Sequence, residues 1–147
     1  MNAHRMLLAR LGRELFAFPI GDVLEAFESP DVSPLALAPA GMLGQCTHRD
    51  RLVPVLDAGA LLGVPREDGA GVLLLIETDA GRVALRVDDV LDMVNVEPSR
   101  RRVLPATGGI MTAMLEDVID LGGGIAGSVA MDALRAAMAA RLTTEVA

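Results

Sequence analysis

Gly44-Gln45-Cys46-Thr47-His48-Arg49-Asp50-Arg51-Leu52-Val53-Pro54-Val55-Leu56-Asp57 is the stretch on which the fold turns. Arg51 to Leu56 reads as a strand, with Pro54 placing its missing N–H at a sheet edge or a bulge. Asp57 fits the N-cap of a short helix from Ala58 to Leu62, Gly63 fits the left-handed position beyond its end, and Pro65 stops it. Upstream, Pro30, Pro34 and Pro39 prevent a regular helix between Ser29 and Gly44 and leave an extended, loop-like connector.

Further towards the start, apolar runs from Met6 to Leu11 and from Glu14 to Phe18 flank Gly12-Arg13, the spacing of a tight antiparallel hairpin. Asp22 to Phe27 reads either as one helical turn or as a strand that continues the sheet. Downstream, Val72 to Ile76 and Arg82 to Val87 repeat the hairpin pattern around Thr78-Asp79-Ala80-Gly81. Gly12-Arg13 recurs as Gly81-Arg82, Asp22-Val23-Leu24-Glu25 as Asp89-Val90-Leu91-Asp92, and Val55-Leu56-Asp57 as Val118-Ile119-Asp120, in order and at an offset of about 65 residues. Two similar lobes of four or five short strands follow, each too small for a sandwich and enough for a small barrel. The expected organisation is one mainly β domain over 1–147, with lobe one at about 6–66 and lobe two at about 70–127. A C-terminal helix over 128–142 docks on lobe one, with Ser128 as its cap and Met131, Leu134, Met138 and Leu142 on its packed stripe.

Composition removes several function classes. The chain has 147 residues, one domain's worth, and 52% are apolar while 2% are aromatic, so bases would find no stacking platforms. A net charge of -7 has the wrong sign for binding nucleic acid through counterion release. All 13 basic residues are Arg, which leaves no lysine for a Schiff base or a P-loop. Cys46 is the only cysteine, so no intramolecular disulfide forms and a reducing, cytoplasmic setting is expected. The uncharged run from Val32 to His48 is broken by prolines and glycines and is too short to span a bilayer, and Met1 to Arg10 lacks the pattern of a secretory signal.

Gly122-Gly123-Gly124-Ile125-Ala126-Gly127 fits G-x-G-x-x-G, but that fingerprint needs a second parallel strand with an acidic residue after the helix, and the sequence stops at Ala147 directly after it. The glycines therefore read as a tight connection into the terminal helix. His48-Arg49-Asp50 matches a kinase catalytic-loop triplet, yet Val55 stands where a metal-binding Asn is needed. Cys46 and His48 alternate by two and would share a strand face, so a thiolate pair oriented by Asp57 is the enzyme alternative, a Cys/His hydrolase; a buried thiol is the plainer reading. Two His and one Cys without paired spacing give no metal site. Asp88-Asp89 and Glu116-Asp117 point apart, and Arg100-Arg101-Arg102 reads as a solvated loop or an anionic-partner patch. No catalytic, cofactor-binding or metal residue is assigned.

The segment from Gly44 to Asp57 resembles the CheW-like family of bacterial chemotaxis coupling proteins, whose signature runs G-[LIV]-x-N-L-R-G-x-[VI]-[VI]-P-[VI]-x-D-L. Gly44, Arg49, Val53-Pro54-Val55 and Asp57 fall on it at fixed spacing, and Val87-Asp88-Asp89-Val90 resembles the family's V-D-x-V. The resemblance covers about residues 6 to 100. It implies two SH3-like five-stranded β-barrels with short helices and a C-terminal helix, in agreement with the repeat.

The resemblance also implies a non-catalytic adaptor, recruited to membrane-bound arrays, that joins the cytoplasmic tips of chemoreceptors to the regulatory domain of a CheA-type histidine kinase, with other CheW-like domains as further partners. It requires neither nucleic acid, cofactor nor membrane insertion. Carried over, Arg49, Val53 and Val55 line or support the receptor-facing surface between the lobes, and Val23 and Glu25 lie at the partner-contacting edge of the first lobe. Arg49 alone also reads as half of a local salt bridge, to Asp57. Thr47 and Asp50 replace the family's Asn and Gly, His48 an apolar residue, and Ala58 a Leu. The strands from Val103 to Gly127 are shortened, and the family's last strand survives in Val118-Ile119-Asp120-Leu121. These departures imply the alternative of a CheW-like regulator that binds the kinase but not receptors, for example in a pilus or developmental system.

Overall fold

Apolar residues on both sides of Gly12-Arg13 build β1 (His4–Leu11) and β2 (Glu14–Pro19), paired antiparallel as expected from the tight turn. The structure, a computed structural model, describes residues 4–104 and 110–142. Along β1, Met6 and Leu8 face one apolar cluster while Leu7, Ala9 and Leu11 face another, so the strand is buried on both faces. Of the two alternatives for Asp22 to Phe27 the strand is the one that forms: a 3-10 turn at Ile20–Asp22 precedes the segment, Val23 is extended, and β3 (Glu25–Glu28) follows.

After the proline-rich connector come β4 (Met42–His48), β5 (Arg51–Asp57) and helix α1 (Ala58–Leu62). Asp57 accepts a 2.9 Å hydrogen bond from the Gly59 N–H and Gly63 closes the helix at φ 80°, both as the sequence predicts. The repeat then continues as β6 (Val72–Thr78), β7 (Gly81–Val87) and β8 (Asp89–Val96). The chain ends through β9 (Arg101–Arg102), helix α2 (Ile110–Ala113), β10 (Leu115–Asp120), β11 (Ile125–Val129) and helix α3 (Met131–Leu142). Part of the expectation for the strands between Val103 and Gly127 falls on 105–109, outside the described residues.

The fold is mainly β, with two sheets ordered β8-β1-β2-β11-β10-β9 and β3-β6-β7-β5-β4. Each curls around an apolar interior of its own: Met6, Leu8, Ala17, Val96, Ile119 and Ala126 fill the first, and Cys46, Val53, Val55, Leu73, Leu75 and Ala84 the second. A third and larger cluster lies between the sheets and joins Phe16, Phe18, Leu62, Leu74, Ile76 and Leu85 to Met131, Leu134 and Met138 of α3. The helix therefore packs at the junction of the two sheets, not on lobe one alone. It also begins later than expected, because Ser128 lies in β11 and cannot be its cap.

Sheet membership does not follow the sequential division at about 66–70. The third strand of each repeat crosses over: β3 pairs with β6, and β8 pairs with β1. Lobe one thus receives β8, β9, β10 and β11, and lobe two receives β3, β4 and β5. The duplication is real in the ladders, since β11 pairs parallel to β2 as β5 pairs parallel to β7. It also corrects the third match: β5 corresponds to β11, so Asp57 finds its counterpart in Ser128 and not in Asp120. Pro54 is a further correction. Its strand lies between β7 and β4 rather than at an edge, and the ladder to β7 starts one residue later, at Val55.

Candidate functional site

The turn between β4 and β5 is closed by Arg49 at φ 51° and Asp50 at φ 64°. Both central residues are left-handed, as a tight two-residue hairpin demands, and neither is the glycine that adopts this backbone without steric cost. The Arg49 side chain is held in turn by Glu25 on β3, with Nη2 donating to Oε1 at 2.9 Å and Nε to Oε2 at 3.3 Å. The Glu25 carboxylate only accepts, so His48 Nε2 donates to Oε2 at 2.9 Å. The imidazole also stacks on Phe27, ring centroids 3.9 Å apart. Hydrogen bonds from Arg49 and then His48 draw the Glu25 carboxyl down to about 2 from an ordinary 4.5. The expected local salt bridge of Arg49 therefore exists, but to Glu25; Asp57 caps α1 and faces Arg66 at 3.5 Å.

Of the five residues carried over as partner contacts, the fold brings Glu25 and Arg49 together and sets Val23 beside them on the same strand approach. Val53 and Val55 are buried in the second sheet's interior. Val23 instead borders a groove of about 410 Å³ between β3 and β8. Leu7, Ile20, Val23, Leu24, Leu91 and Met93 supply its apolar lining, and Leu24, Leu91 and Met93 are 51%, 46% and 50% exposed. Large apolar side chains gathered in one concave place mark an interaction surface. Sequence reasoning named Val23 and missed Leu24, Leu91 and Met93. The signal was present in the repeat, which sets Val23-Leu24-Glu25 beside Val90-Leu91-Asp92, but no exposure is legible in a strand pattern that is apolar on both faces.

The enzyme alternative loses its geometry. Cys46 is buried and burial pushes its thiol upward, His48 is committed to Glu25, and Asp57 to α1. The Gly122-Gly123-Gly124 bend is a hairpin between β10 and β11, where the Leu121 N–H donates to the Gly124 carbonyl, and not a passage into the helix. Arg101 and Arg102 form β9 rather than a solvated loop, with Arg101 donating to Asp117 at 2.9 Å and to the Ser128 hydroxyl at 3.2 Å. Among the described residues no three His, Cys, Asp or Glu side chains gather as metal ligands, and no helix is long and apolar enough to cross a membrane.

One titratable pair is deeply buried. Asp88 accepts from the Gly12 N–H at 2.6 Å, the Glu67 N–H at 3.0 Å and Arg86 Nη1 at 2.8 Å, and Arg86 Nη2 donates to the carbonyls of Glu67 and Gly69. This cluster pins the β1–β2 turn to the corner where the chain leaves β7 for β8. These five hydrogen bonds all run within the chain, which marks the pair as a structural lock.

The CheW-like domain family profile matches residues 5–136. The crystal structure of the scaffolding protein TtCheW from Thermoanaerobacter tengcongensis superposes with a TM-score of 0.76, over 88% of this chain and 84% of that one, at 19% identity. That likeness is one of fold. No curated protein sequence matches the chain.

Proposed function

The chain belongs to the CheW-like domain family, and on that footing we propose that it is a non-catalytic adaptor in the cytoplasm, coupling chemoreceptor tips to a CheA-type histidine kinase. The observation that carries the reading is the groove between β3 and β8, apolar, open and bordered by residues of both repeats. An amphipathic helix laid into such a groove buries its own apolar face against Leu24, Leu91 and Met93. Arg49 and Glu25 hold β3 to the β4–β5 turn, which fixes one wall of the groove before a partner arrives. A second surface that grips the kinase makes assembly of the third component effectively intramolecular, so modest contacts add up, and receptor state reaches the kinase as a coupling free energy.

The test is co-purification of the full chain with a CheA-type kinase and with receptor cytoplasmic fragments, at tens of micromolar protein. Retention of both supports the adaptor; retention of neither removes it. The second reading, a regulator that binds the kinase alone, is favoured by the engagement of Arg49 with Glu25, a carboxylate that His48 shares. Arg49→Glu separates the two, since it disrupts receptor coupling in an adaptor and leaves the complex of a kinase-only regulator unchanged.

A further inference from the structure

In the antiparallel ladder between β1 and β8, Leu7 lies directly opposite Met93 and Arg5 opposite Asn95. Side chains alternate between the faces of a strand, so Arg5 and Leu7 share the face that carries Met93, and Arg5 becomes its diagonal neighbour, a separation that a long side chain covers. The contact is made: Arg5 Nη2 donates to Met93 Sδ at 4.0 Å. A thioether is a weak acceptor and a guanidinium a strong, permanently charged donor, so the two are poorly matched. Arg5 makes no ion pair among the described residues, which leaves the sulfur as its one side-chain partner there. Met93 is also the accessible thioether: it is half exposed, whereas Met6, Met131 and Met138 are buried and Met42 and Met114 partly buried.

We propose that Met93 is a redox-responsive modification site, at which hydrogen peroxide converts the thioether to the sulfoxide and Arg5 holds the new oxygen. A lone pair of the sulfur attacks one peroxide oxygen. The S–O bond forms as the O–O bond breaks, and the distal oxygen departs with that electron pair and takes up the proton of the transferred oxygen, leaving as water; the sulfur is oxidised by two electrons and the peroxide reduced by two. An oxygen set on the sulfur towards Arg5 takes up much of the 4.0 Å gap and presents a strong acceptor at hydrogen-bond distance from Nη2. Oxidation also makes the sulfur a stereocentre, and because Arg5 stands on one side of it, one epimer of the sulfoxide is favoured. The product fixes a polar group on the wall where Leu24, Leu91 and Met93 supply exposed apolar lining to the groove. A partner's apolar face laid there would have to bury the sulfoxide out of water. A seated partner covers Met93, so the unoccupied chain is the form that is oxidised. The effect on coupling rests on the adaptor reading; the modification itself does not.

The experiment treats the full chain with hydrogen peroxide and follows each methionine by peptide mass spectrometry. Met93 is expected to oxidise at least about fivefold faster than Met6, Met42, Met114, Met131 or Met138. One sulfoxide epimer is expected in about threefold excess, the size a single exposed hydrogen bond supports, read with reductases that each accept one epimer. Arg5→Leu should bring the epimers to an equal mixture, and Arg5→Lys, which keeps a cationic donor, should retain the bias. Oxidation of Met93 no faster than that of the buried methionines, or an epimer ratio that Arg5→Leu leaves unchanged, overturns the proposal. Retention of a receptor cytoplasmic fragment is expected to fall about tenfold on oxidation and to return when a sulfoxide reductase with a dithiol restores the thioether. Met93→Leu, compared with itself before and after peroxide, should show no such fall. Equal retention by the oxidised and the reduced chain overturns the effect on coupling. If the unoxidised chain retains no receptor fragment, the adaptor reading falls, and the rates and epimers decide the modification by themselves.

Discussion

Replacing Asp88 with asparagine is expected to cost about 3–5 kcal/mol of stability, the penalty for stranding one member of a buried ion pair. Arg86 and Asp88 have side chains 5% and 2% exposed, so neither recovers its hydration when the other is removed. Asparagine keeps an oxygen for the Gly12 or Glu67 N–H but turns an amide towards Arg86 Nη1, leaving the guanidinium charge unmatched. Arg86→Met errs the other way, leaving the Asp88 charge and the Glu67 and Gly69 carbonyls without their donor. The double variant removes both charges and is expected to cost about 1–2 kcal/mol, so the cycle should show a coupling of at least about 2 kcal/mol. Urea unfolding followed by circular dichroism reads this directly. With m at about 1–3 kcal/mol/M, each single variant lowers the midpoint by about 1–5 M while m stays constant. The pH dependence supplies a second reading. Burial alone would raise the Asp88 carboxyl, but the Gly12 N–H, Arg86 and the Glu67 N–H outweigh it and hold it below the ordinary range. A depressed folded value gives stability that is complete above the unfolded pKa of about 3.9 and is lost as pH falls through the folded one. The native chain should therefore lose stability more steeply than Asp88→Asn below about pH 4. Single-variant costs below about 1 kcal/mol, or a double variant equal to the sum of the singles, refute the reasoning.

Three further outcomes follow from the geometry. Gly44→Ala should destabilise by about 3 kcal/mol or more in the same assay, because the backbone sits at φ 146° and an added Cβ would stand 2.1 Å from the Ser33 carbonyl oxygen, prising apart the Ser33–Gln45 bridge. The Glu25 carboxyl, followed by carbon-detected NMR, should titrate at about 2, so that its stabilising contacts are complete above an ordinary 4.5 and lost between there and about 2; Arg49→Gln should move the midpoint up, and an unmoved midpoint would reject the pairing. Alkylation of Cys46 by iodoacetamide at neutral pH should be slow in the native chain and accelerate on unfolding, since the thiol is buried and its ionisation pushed upward; rapid native alkylation would contradict the burial.

The local chemistry of the fold was legible in the sequence because it is dictated residue by residue. Gly12-Arg13 and Gly81 set the hairpins, and Asp57 and Gly63 bounded α1. The order of the strands in the sheets was not legible, because β3 and β8 pair with strands remote in sequence and nothing in Glu25-Ala26-Phe27-Glu28 states which edge it will meet. The repeat did carry that information in principle, but its last match was set against β10 when the parallel pairing of β11 with β2 makes β11 the equivalent of β5. At the candidate site, the Arg49 ion pair was anticipated and its partner was not. Asp57 is eight positions away and Glu25 twenty-four, yet the nearer carboxylate is already spent on the Gly59 N–H. Ser128 shows the same limit from another side: a good cap by type, it is taken into a ladder before the helix starts.

The crossed third strands also govern how this chain is made. During synthesis β1 and β2 emerge well before the neighbours that flank them, so one edge of this hairpin stays open until β8 is out and the other until β11 is out. A break in the connection between α1 and β6 would yield two fragments, each holding strands that belong to the other's sheet. They would have to associate in order to fold at all.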